Sequence, residues 1–236
     1  MQTRVIYMSG NEFSVNITKE TTKALEDFGI EYELFDGVKG RDGIKILNNL
    51  NIVPSAYVEQ RDWTDGTIGC LASHVLLWEE CSRQEESYLI IEQDGVLIKD
   101  PRSLLPLIDT VCHLDAYLPF DNSKTASTAL EYFQLYNERV ALEEPGVKNY
   151  PTNKFYDDNN ITGSCFRGTY GYIITPKGAK EVLDFIKTKG AFPSDRCLCS
   201  KATHLQRSNS TYVRLNPFFN SLDVQRKWSL RIPGAI

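Results

Sequence analysis

The spacing of apolar and polar positions changes along the chain, and each change marks an element. Arg4-Val5-Ile6-Tyr7-Met8 is a short apolar run that predicts a buried strand, followed by a polar loop from Ser9 to Ser14. Thr21-Thr22-Lys23-Ala24-Leu25-Glu26-Asp27-Phe28 reads as helix, with Gly29 as its C-terminal cap. Ile30-Glu31-Tyr32-Glu33-Leu34-Phe35 alternates apolar and polar, which is the period of a strand. Asp36-Gly37 and Lys39-Gly40-Arg41-Asp42-Gly43 carry turn residues. Strand, helix, strand in succession predicts a βαβ opening and hence a parallel sheet.

Residues 44–66 show no clear period. From Cys70 to Cys81, Leu71, Val75 and Trp78 fall at i, i+4 and i+7, an apolar helix face. Tyr88-Leu89-Ile90-Ile91 is a continuous apolar run and predicts a central strand that ends at Glu92-Gln93-Asp94-Gly95. Val96-Leu97-Ile98 is a second short piece, closed by Pro101. Residues 109–160 are rich in Tyr, Asn, Asp and Ser, with a helical stretch from Leu130 to Leu142 and loops at Pro145-Gly146 and Pro151. They read as a substrate-facing insertion or as a passive excursion. Gly168 to Ile174 is strand-like. Thr175 then caps a helix with Pro176 at its first position; Ala179, Val182, Leu183 and Ile186 form its buried stripe, and Gly190 ends it. The whole reads as one α/β domain over residues 1–236, with 217–236 as a tail.

Composition narrows the function. The 236 residues are 42% hydrophobic and 24% charged, which excludes a disordered chain, a collagen and a coiled coil. The net charge of −5 provides no global basic field, so a dedicated nucleic-acid binder is disfavoured. The apolar stretch at the N-terminus is too short for a signal-peptide core, and no run is long enough to span a bilayer. The expected location is the cytoplasm, with the inner surface of the membrane as a peripheral alternative. The cysteines are then expected to be reduced. Cys197 and Cys199 with His204 hint at a metal knot but lack a fourth zinc ligand at suitable spacing.

The chemistry centres on Glu92-Gln93-Asp94. Residues two apart on a strand share a face, so Glu92 and Asp94 point together from the carboxyl end of an apolar strand, where open α/β sheets bind ligands. Two such carboxylates repel each other unless a cation lies near. A hard divalent ion, Mn²⁺ or Mg²⁺, takes carboxylate and phosphate oxygens together and would bridge the protein to a diphosphate. The plainer alternative is a pair of solvated turn residues.

Gly66-Thr67-Ile68-Gly69-Cys70-Leu71-Ala72-Ser73-His74, then Trp78, then Leu89-Ile90-Ile91-Glu92-Gln93-Asp94, resembles the signature of family 25 glycosyltransferases. That family includes bacterial lipopolysaccharide galactosyltransferases and collagen galactosyltransferases. Its pattern runs G-E-I-G-C-x-x-S-H, an aromatic residue, then a strand ending in E-D-D. Phe35-Asp36-Gly37-Val38-Lys39-Gly40 is similar to the family's F-D-A-V-D-G. Gly168-Thr169-Tyr170-Gly171-Tyr172-Ile173-Ile174 through Ala179 is similar to its G-T-x-G-Y-x-I-x-x-x-G-A, and Pro193-Ser194-Asp195 to its P-x-D. The likeness covers most of residues 4–217, with a poor fit through 44–62 and 109–160.

The resemblance implies a GT-A fold, a Rossmann-like nucleotide-sugar-binding domain with a mixed, mainly parallel sheet. It implies a hexosyltransferase that moves galactose or glucose from a nucleotide sugar, usually uridine-linked, with inversion and with a divalent metal, to a hydroxyl acceptor. A glycan such as lipopolysaccharide is the acceptor expected. In this chain Asp94 would ligate the metal, and Glu92 would contact the ribose or the metal. Tyr7, Met8 and Val38 would line the nucleoside pocket, and Ser73, His74 and Gln93 would belong to the donor site. Asp195 would be the general base.

Two departures stand out: Thr67 replaces the family's Glu, and Gln93 replaces the middle Asp. They motivate an alternative in which the chain is a catalytically impaired relative that binds sugar or a partner; a modified DNA base is a further alternative acceptor. Several residues also have plainer readings. His74 reads as a structural helix residue and Asp195 as a helix cap. His204 could serve as a third metal ligand, though nothing around it is diagnostic, and Arg226, Lys227, Trp228 and Arg231 read as either a solvated tail or a clamp over the diphosphate.

Overall fold

The computed structural model describes residues 1–56, 63–115, 146–150, 162–166 and 168–216. The helical reading of Leu130 to Leu142 and the basic cluster Arg226 to Arg231 lie outside these residues.

The chain opens as β1 (Gln2–Tyr7), α1 (Glu12–Asp27) and β2 (Glu33–Asp36), with β1 and β2 parallel, so the expected βαβ unit is present. The helix starts well before the Thr21 expected from the apolar pattern. Asn11 caps it by accepting from the Ser14 amide at 3.0 Å, and its first buried positions are Ser14, Ile17, Thr18 and Thr21. Polar side chains on the inner face hide that stripe: the Thr18 hydroxyl donates back to the Ser14 carbonyl at 2.7 Å, and Thr21 donates to the Gly95 carbonyl at 2.8 Å. Part of the irregular stretch after residue 43 is also a helix, α2 (Asp42–Asn49), with Gly43 and Leu47 as its buried contacts.

α3 (Asp65–Cys81) leads to β3 (Tyr88–Glu92), followed by β4 (Gly95–Leu97), a 3-10 helix (Pro101–Leu107) and β5 (Val111–His113). β6 (Val147–Asn149), β7 (Gly171–Ile174), α4 (Pro176–Lys189), the single turn α5 (Ser194–Cys197), β8 (Leu205–Ser208) and β9 (Val213–Leu215) complete the described elements. β5 and β6 belong to the sheet, so part of the range 109–160 is framework. α4 matches its sequence reading closely. Thr175 caps it, Pro176 opens it, and Ala179, Val182, Leu183 and Ile186 are buried.

Among the described residues the main sheet has seven strands in the order β2-β1-β3-β7-β5-β8-β6; β4 and β9 form a separate antiparallel ribbon. β2, β1, β3, β5 and β8 run one way, and β7 and β6 run the other. Parallel and antiparallel neighbours are therefore equally frequent, although most strands share a direction. The architecture is α/β and Rossmann-like.

Side-chain alternation along the strands builds two cores. Ile6, Tyr88, Ile90, Tyr172 and Ile174 face the layer of α2, α3 and α4; Val5, Leu89, Ile91 and Ile173 face α1 and the 3-10 helix. Fully buried side chains of this size each stabilise the fold by roughly 1.5–3 kcal/mol. α3 is buried nearly all round, from Thr67, Gly69 and Leu71 to Trp78 and Cys81, because it sits between the sheet, α2 and α4. Its apolar pattern is accordingly wider than the single stripe read from the sequence. Among the described residues no helix is long and apolar enough to cross a membrane.

Candidate functional site

The strands β1, β2 and β3 end along one edge of the sheet, and the expected donor residues lie there. The Tyr7 carbonyl accepts from the Gly37 amide at 2.6 Å, which locks the ends of β1 and β2 together. The loop after β2 is pinned to α3, because Val38 N donates to Ser73 Oγ at 2.8 Å and Ser73 Oγ donates to the Gly69 carbonyl at 2.8 Å. A β-carbon at Gly69 would collide with the Val38 carbonyl oxygen, so this close approach needs glycine. The loop after β1 is held on both sides. Met8 N donates to Ser14 Oγ at 2.7 Å, and the Ser9 amide donates to Asp36 Oδ1 at 2.9 Å. The bonds from the Ser9 side chain and then its amide hold the Asp36 carboxyl below its ordinary value.

β3 delivers Glu92 to the same edge. His74 Nε2 lies 3.0 Å from Glu92 Oε1, and Thr169 Oγ1 donates to that same oxygen. His74 is fully buried, and its Nδ1 lies 2.8 Å from the Tyr172 hydroxyl, which also accepts from Trp78 Nε1 at 2.8 Å. Gln93 points away from this group, toward α1, where Ser14 Oγ donates to its Oε1. β3 ends at Glu92, and Gln93 and Asp94 form the turn that leads to β4.

Asp94 differs from Glu92. Its Oδ1 is buried with no hydrogen-bond partner among the described residues. Burial, and then the charge of Glu92, push its carboxyl up to about 7. The next residue must be small: a β-carbon on Gly95 would overlap the Tyr170 carbonyl oxygen. An oxygen-only donor pair with a buried, unbonded carboxylate oxygen fits a hard divalent cation, for which Glu92 and Asp94 are the ligands at hand.

Asp195 lies in α5, which packs against α3. Ser194 Oγ lies 3.3 Å from Cys70 Sγ and 3.2 Å from Thr169 Oγ1, and Glu92, Asp195 and Asp94 all act electrostatically on the Cys70 thiol. Burial is the main influence holding that thiol protonated. The three expected carboxylates are thus all near enough to Cys70, in the first half of α3, to act on its thiol. The helix-cap reading of Asp195 does not hold: the cap position of α5 is Pro193, with no side-chain cap, and Ser194 turns toward Cys70.

His204 is at the wrong place for a third ligand. It precedes β8, which runs parallel to β5 and in the same direction as β3, so it sits at the opposite edge of the sheet. There its ring bonds to Asp109 Oδ2 at 3.2 Å and Asn149 Oδ1 at 3.0 Å. The cluster that does form among the described residues is Cys70, His74 and Glu92, whose ligand-type atoms lie within 4.8 Å of one another. Cys70 follows the helical i, i+4 relation to His74, which is a sequence signal. Thr169 and Tyr172 meet Glu92 and His74 only because β7 pairs with β3.

The family profile described as glycosyltransferase family 25 (LPS biosynthesis protein) matches residues 13–198, from α1 through α5. The chain belongs to glycosyltransferase family 25. A lipooligosaccharide biosynthesis protein, lex-1, of Haemophilus influenzae is 28% identical over 141 residues, covering 58% of this chain and 41% of the relative. A second Haemophilus influenzae protein, provisionally named a glycosyltransferase, is 24% identical over 188 residues, 76% of this chain and 58% of its own length. The chain thus spans well under two thirds of these relatives. A crystal structure of the galactosyltransferase LgtC with donor and acceptor sugar analogs shares 10% identity and a TM-score of 0.40, covering 87% of this chain and 73% of LgtC.

The two departures of this family 25 member take local roles. Thr67 is bound into the start of α3, its hydroxyl 2.9 Å from that of the capping residue Thr64. Gln93 is held by Ser14 of α1.

Proposed function

We propose that this chain is a metal-assisted, inverting hexosyltransferase. It moves galactose or glucose from a uridine-linked nucleotide sugar to an acceptor hydroxyl on a glycan. The observation that carries this reading is the contrast at the end of β3. Glu92 Oε1 is held by His74 and Thr169, while two residues on Asp94 keeps a buried carboxylate oxygen with no partner among the described residues. A donor diphosphate adds negative charge to an edge that already carries Glu92, Asp94 and Asp195. Glu92 and Asp94 would hold Mn²⁺ or Mg²⁺, which when bound supplies charge neutralisation for the leaving diphosphate.

In this reading the remaining work falls to side chains of this chain. Tyr7, Met8 and Val38 line the nucleoside, with Ser73 fixing Val38 and Gln93 bracing the β1 loop through Ser14. Asp195 accepts the proton of the acceptor hydroxyl as its oxygen attacks the anomeric carbon opposite the leaving group. The departures at Thr67 and Gln93 motivate the competing reading of an impaired relative. Their partners, Thr64 and Ser14, support a structural role for both.

The test is thermal unfolding with UDP-galactose or UDP-glucose, each with and without Mn²⁺. Nucleotide sugar and metal together should raise the melting temperature, and Asp94→Ala should remove the rise. A protein that responds to neither is not this enzyme. Metal-dependent release of free hexose would exclude the impaired relative.

A further inference from the structure

An unbroken hydrogen-bonded chain runs from the core to the site edge. Trp78 Nε1 reaches the Tyr172 hydroxyl at 2.8 Å, that hydroxyl reaches His74 Nδ1 at 2.8 Å, and His74 Nε2 reaches Glu92 Oε1 at 3.0 Å. Trp78, Tyr172 and His74 are completely buried. Their rings also pack together, His74 lying 5.9 Å from Trp78 and 5.7 Å from Tyr172, centroid to centroid.

The direction of every proton follows by elimination. An indole N–H only donates, so the Tyr172 oxygen is an acceptor toward Trp78. The Tyr172 hydroxyl proton then needs an acceptor of its own. Among the described residues the other partner of that hydroxyl is His74 Nδ1. Nδ1 must therefore carry a lone pair, and the ring proton sits on Nε2, aimed at the carboxylate. The opposite tautomer would leave a buried hydroxyl proton unbonded and set a lone pair against Glu92. An unsatisfied buried group costs about 1–3 kcal/mol.

We propose that Trp78 and Tyr172 are positioning residues that lock His74 as an Nε2–H donor, and that this proton, together with the Thr169 hydroxyl, fixes Glu92 for its work in the donor site. The proposal rests on the donor-site reading of Glu92 given above. It also decides what the Cys70, His74 and Glu92 cluster does. His74 presents a proton there and not a lone pair, so the three residues do not form a soft-metal site; His74 and Thr169 form a hydrogen-bonding collar on Glu92, and Cys70 turns to Ser194.

Two substitutions of one residue separate positioning from mere packing. The glutamine amide nitrogen stands near the place of Nε2, so His74→Gln keeps a donor on Glu92 and gives up the acceptor for Tyr172. His74→Asn puts its oxygen near the place of Nδ1, so it keeps the Tyr172 partner and gives up Glu92. Manganese-dependent hexose release from UDP-galactose or UDP-glucose should stay within about ten-fold of wild type in His74→Gln. In His74→Asn it should fall about ten- to hundred-fold further, the scale of losing a residue that orients a metal ligand. Thermal stability should follow the reverse order. Equal activities, or activity and stability in the same order, would overturn the positioning role.

Nitrogen-15 NMR of histidine-labelled wild-type protein near neutral pH tests the relay without any turnover. The His74 signal, assigned by its loss in His74→Gln, should show a protonated Nε2 and an unprotonated Nδ1. A proton on Nδ1 would overturn the relay. If the wild type releases no hexose but shows this tautomer, the relay stands and the proposed activity is what fails.

Discussion

Glu80 at one edge of the sheet and Asp94 at the other are treated in opposite ways. At the edge where β1 and β3 begin, Arg4 meets Glu80 at 2.7 Å and Glu33 at 3.3 Å, while its guanidinium lies over the Tyr88 ring at 4.9 Å. Burial alone would raise the Glu80 carboxyl, but hydrogen bonds from Arg4 and Tyr88 bring it below its ordinary value. Further along that edge, Lys177 and then His204 do the same for Asp109. At the far edge Asp94 has no Lys or Arg within ion-pair distance among the described residues, and its carboxyl moves up. The framework thus compensates Glu80 and Asp109 and leaves Asp94 uncompensated at the candidate site. Perturbed groups of this kind concentrate at functional sites.

The largest effects should come from Asp94→Asn, which ought to abolish metal-dependent hexose release and yet stabilise the metal-free protein. The Asp94 carboxyl is raised in the fold from the ordinary carboxylate range to about 7. Its cost is absent in acid below that range, grows through the window between the two values, and is fully present above about 7. In chelator-treated protein the advantage of Asn should therefore widen with rising pH, to the order of a few kcal/mol. A variant that melts at or below the wild-type temperature on the alkaline side would break the contrast between the edges.

Next in size is Arg4→Met at the compensated edge. Removing the cation leaves Glu80 without its main partner and should cost about 1–3 kcal/mol by denaturant unfolding. Hexose release per folded molecule should not change; a large loss of turnover would mean that the two edges are coupled. The smallest effect belongs to Lys177→Ala, since exposed pairs contribute little. Asp109 is depressed in the fold, so its contribution is present above the ordinary carboxylate range and fades as pH falls through its lowered value. Melting curves of Lys177→Ala should lie slightly below wild type at neutral pH and converge with it in acid, so that the variant shows a slightly weaker acid dependence.

What could be read from the sequence depended on whether the deciding contacts were local. α4 was legible because Thr175, Pro176 and the stripe from Ala179 to Ile186 carry cap, start and face within one segment. The opening of α1 was not, because its inner face is built from Ser14, Thr18 and Thr21, whose hydroxyls are satisfied by the Gln93 side chain and, for the two threonines, by backbone carbonyls. α2 escaped for a related reason: Ile44 is exposed while Gly43 and Leu47 are buried, which blurs the apolar period. At the site, Glu92 and Asp94 stood out as a carboxylate pair after an apolar run, and Ser73 and His74 through the family motif, although the strand itself stops at Glu92. Thr169 and Tyr172 stand in the family's G-T-x-G-Y stretch, but their partners were not legible, because those contacts require the antiparallel register that sets Ile90 opposite Tyr172. The same topology removes His204, whose chemistry suits a ligand but whose strand begins at the other edge.

The pairing of β3 with β7 has a consequence for how the protein is made. On the ribosome, Tyr88–Glu92 emerges long before Gly171–Ile174, so one hydrogen-bonding flank of an isoleucine-rich strand must wait for its neighbour. Until then Tyr172 cannot reach His74, and the nascent chain carries an open strand edge of the kind that invites wrong pairing. Completion of the carboxylate collar and closure of that edge are then a single late event, and a chain released before β7 is synthesised can have neither.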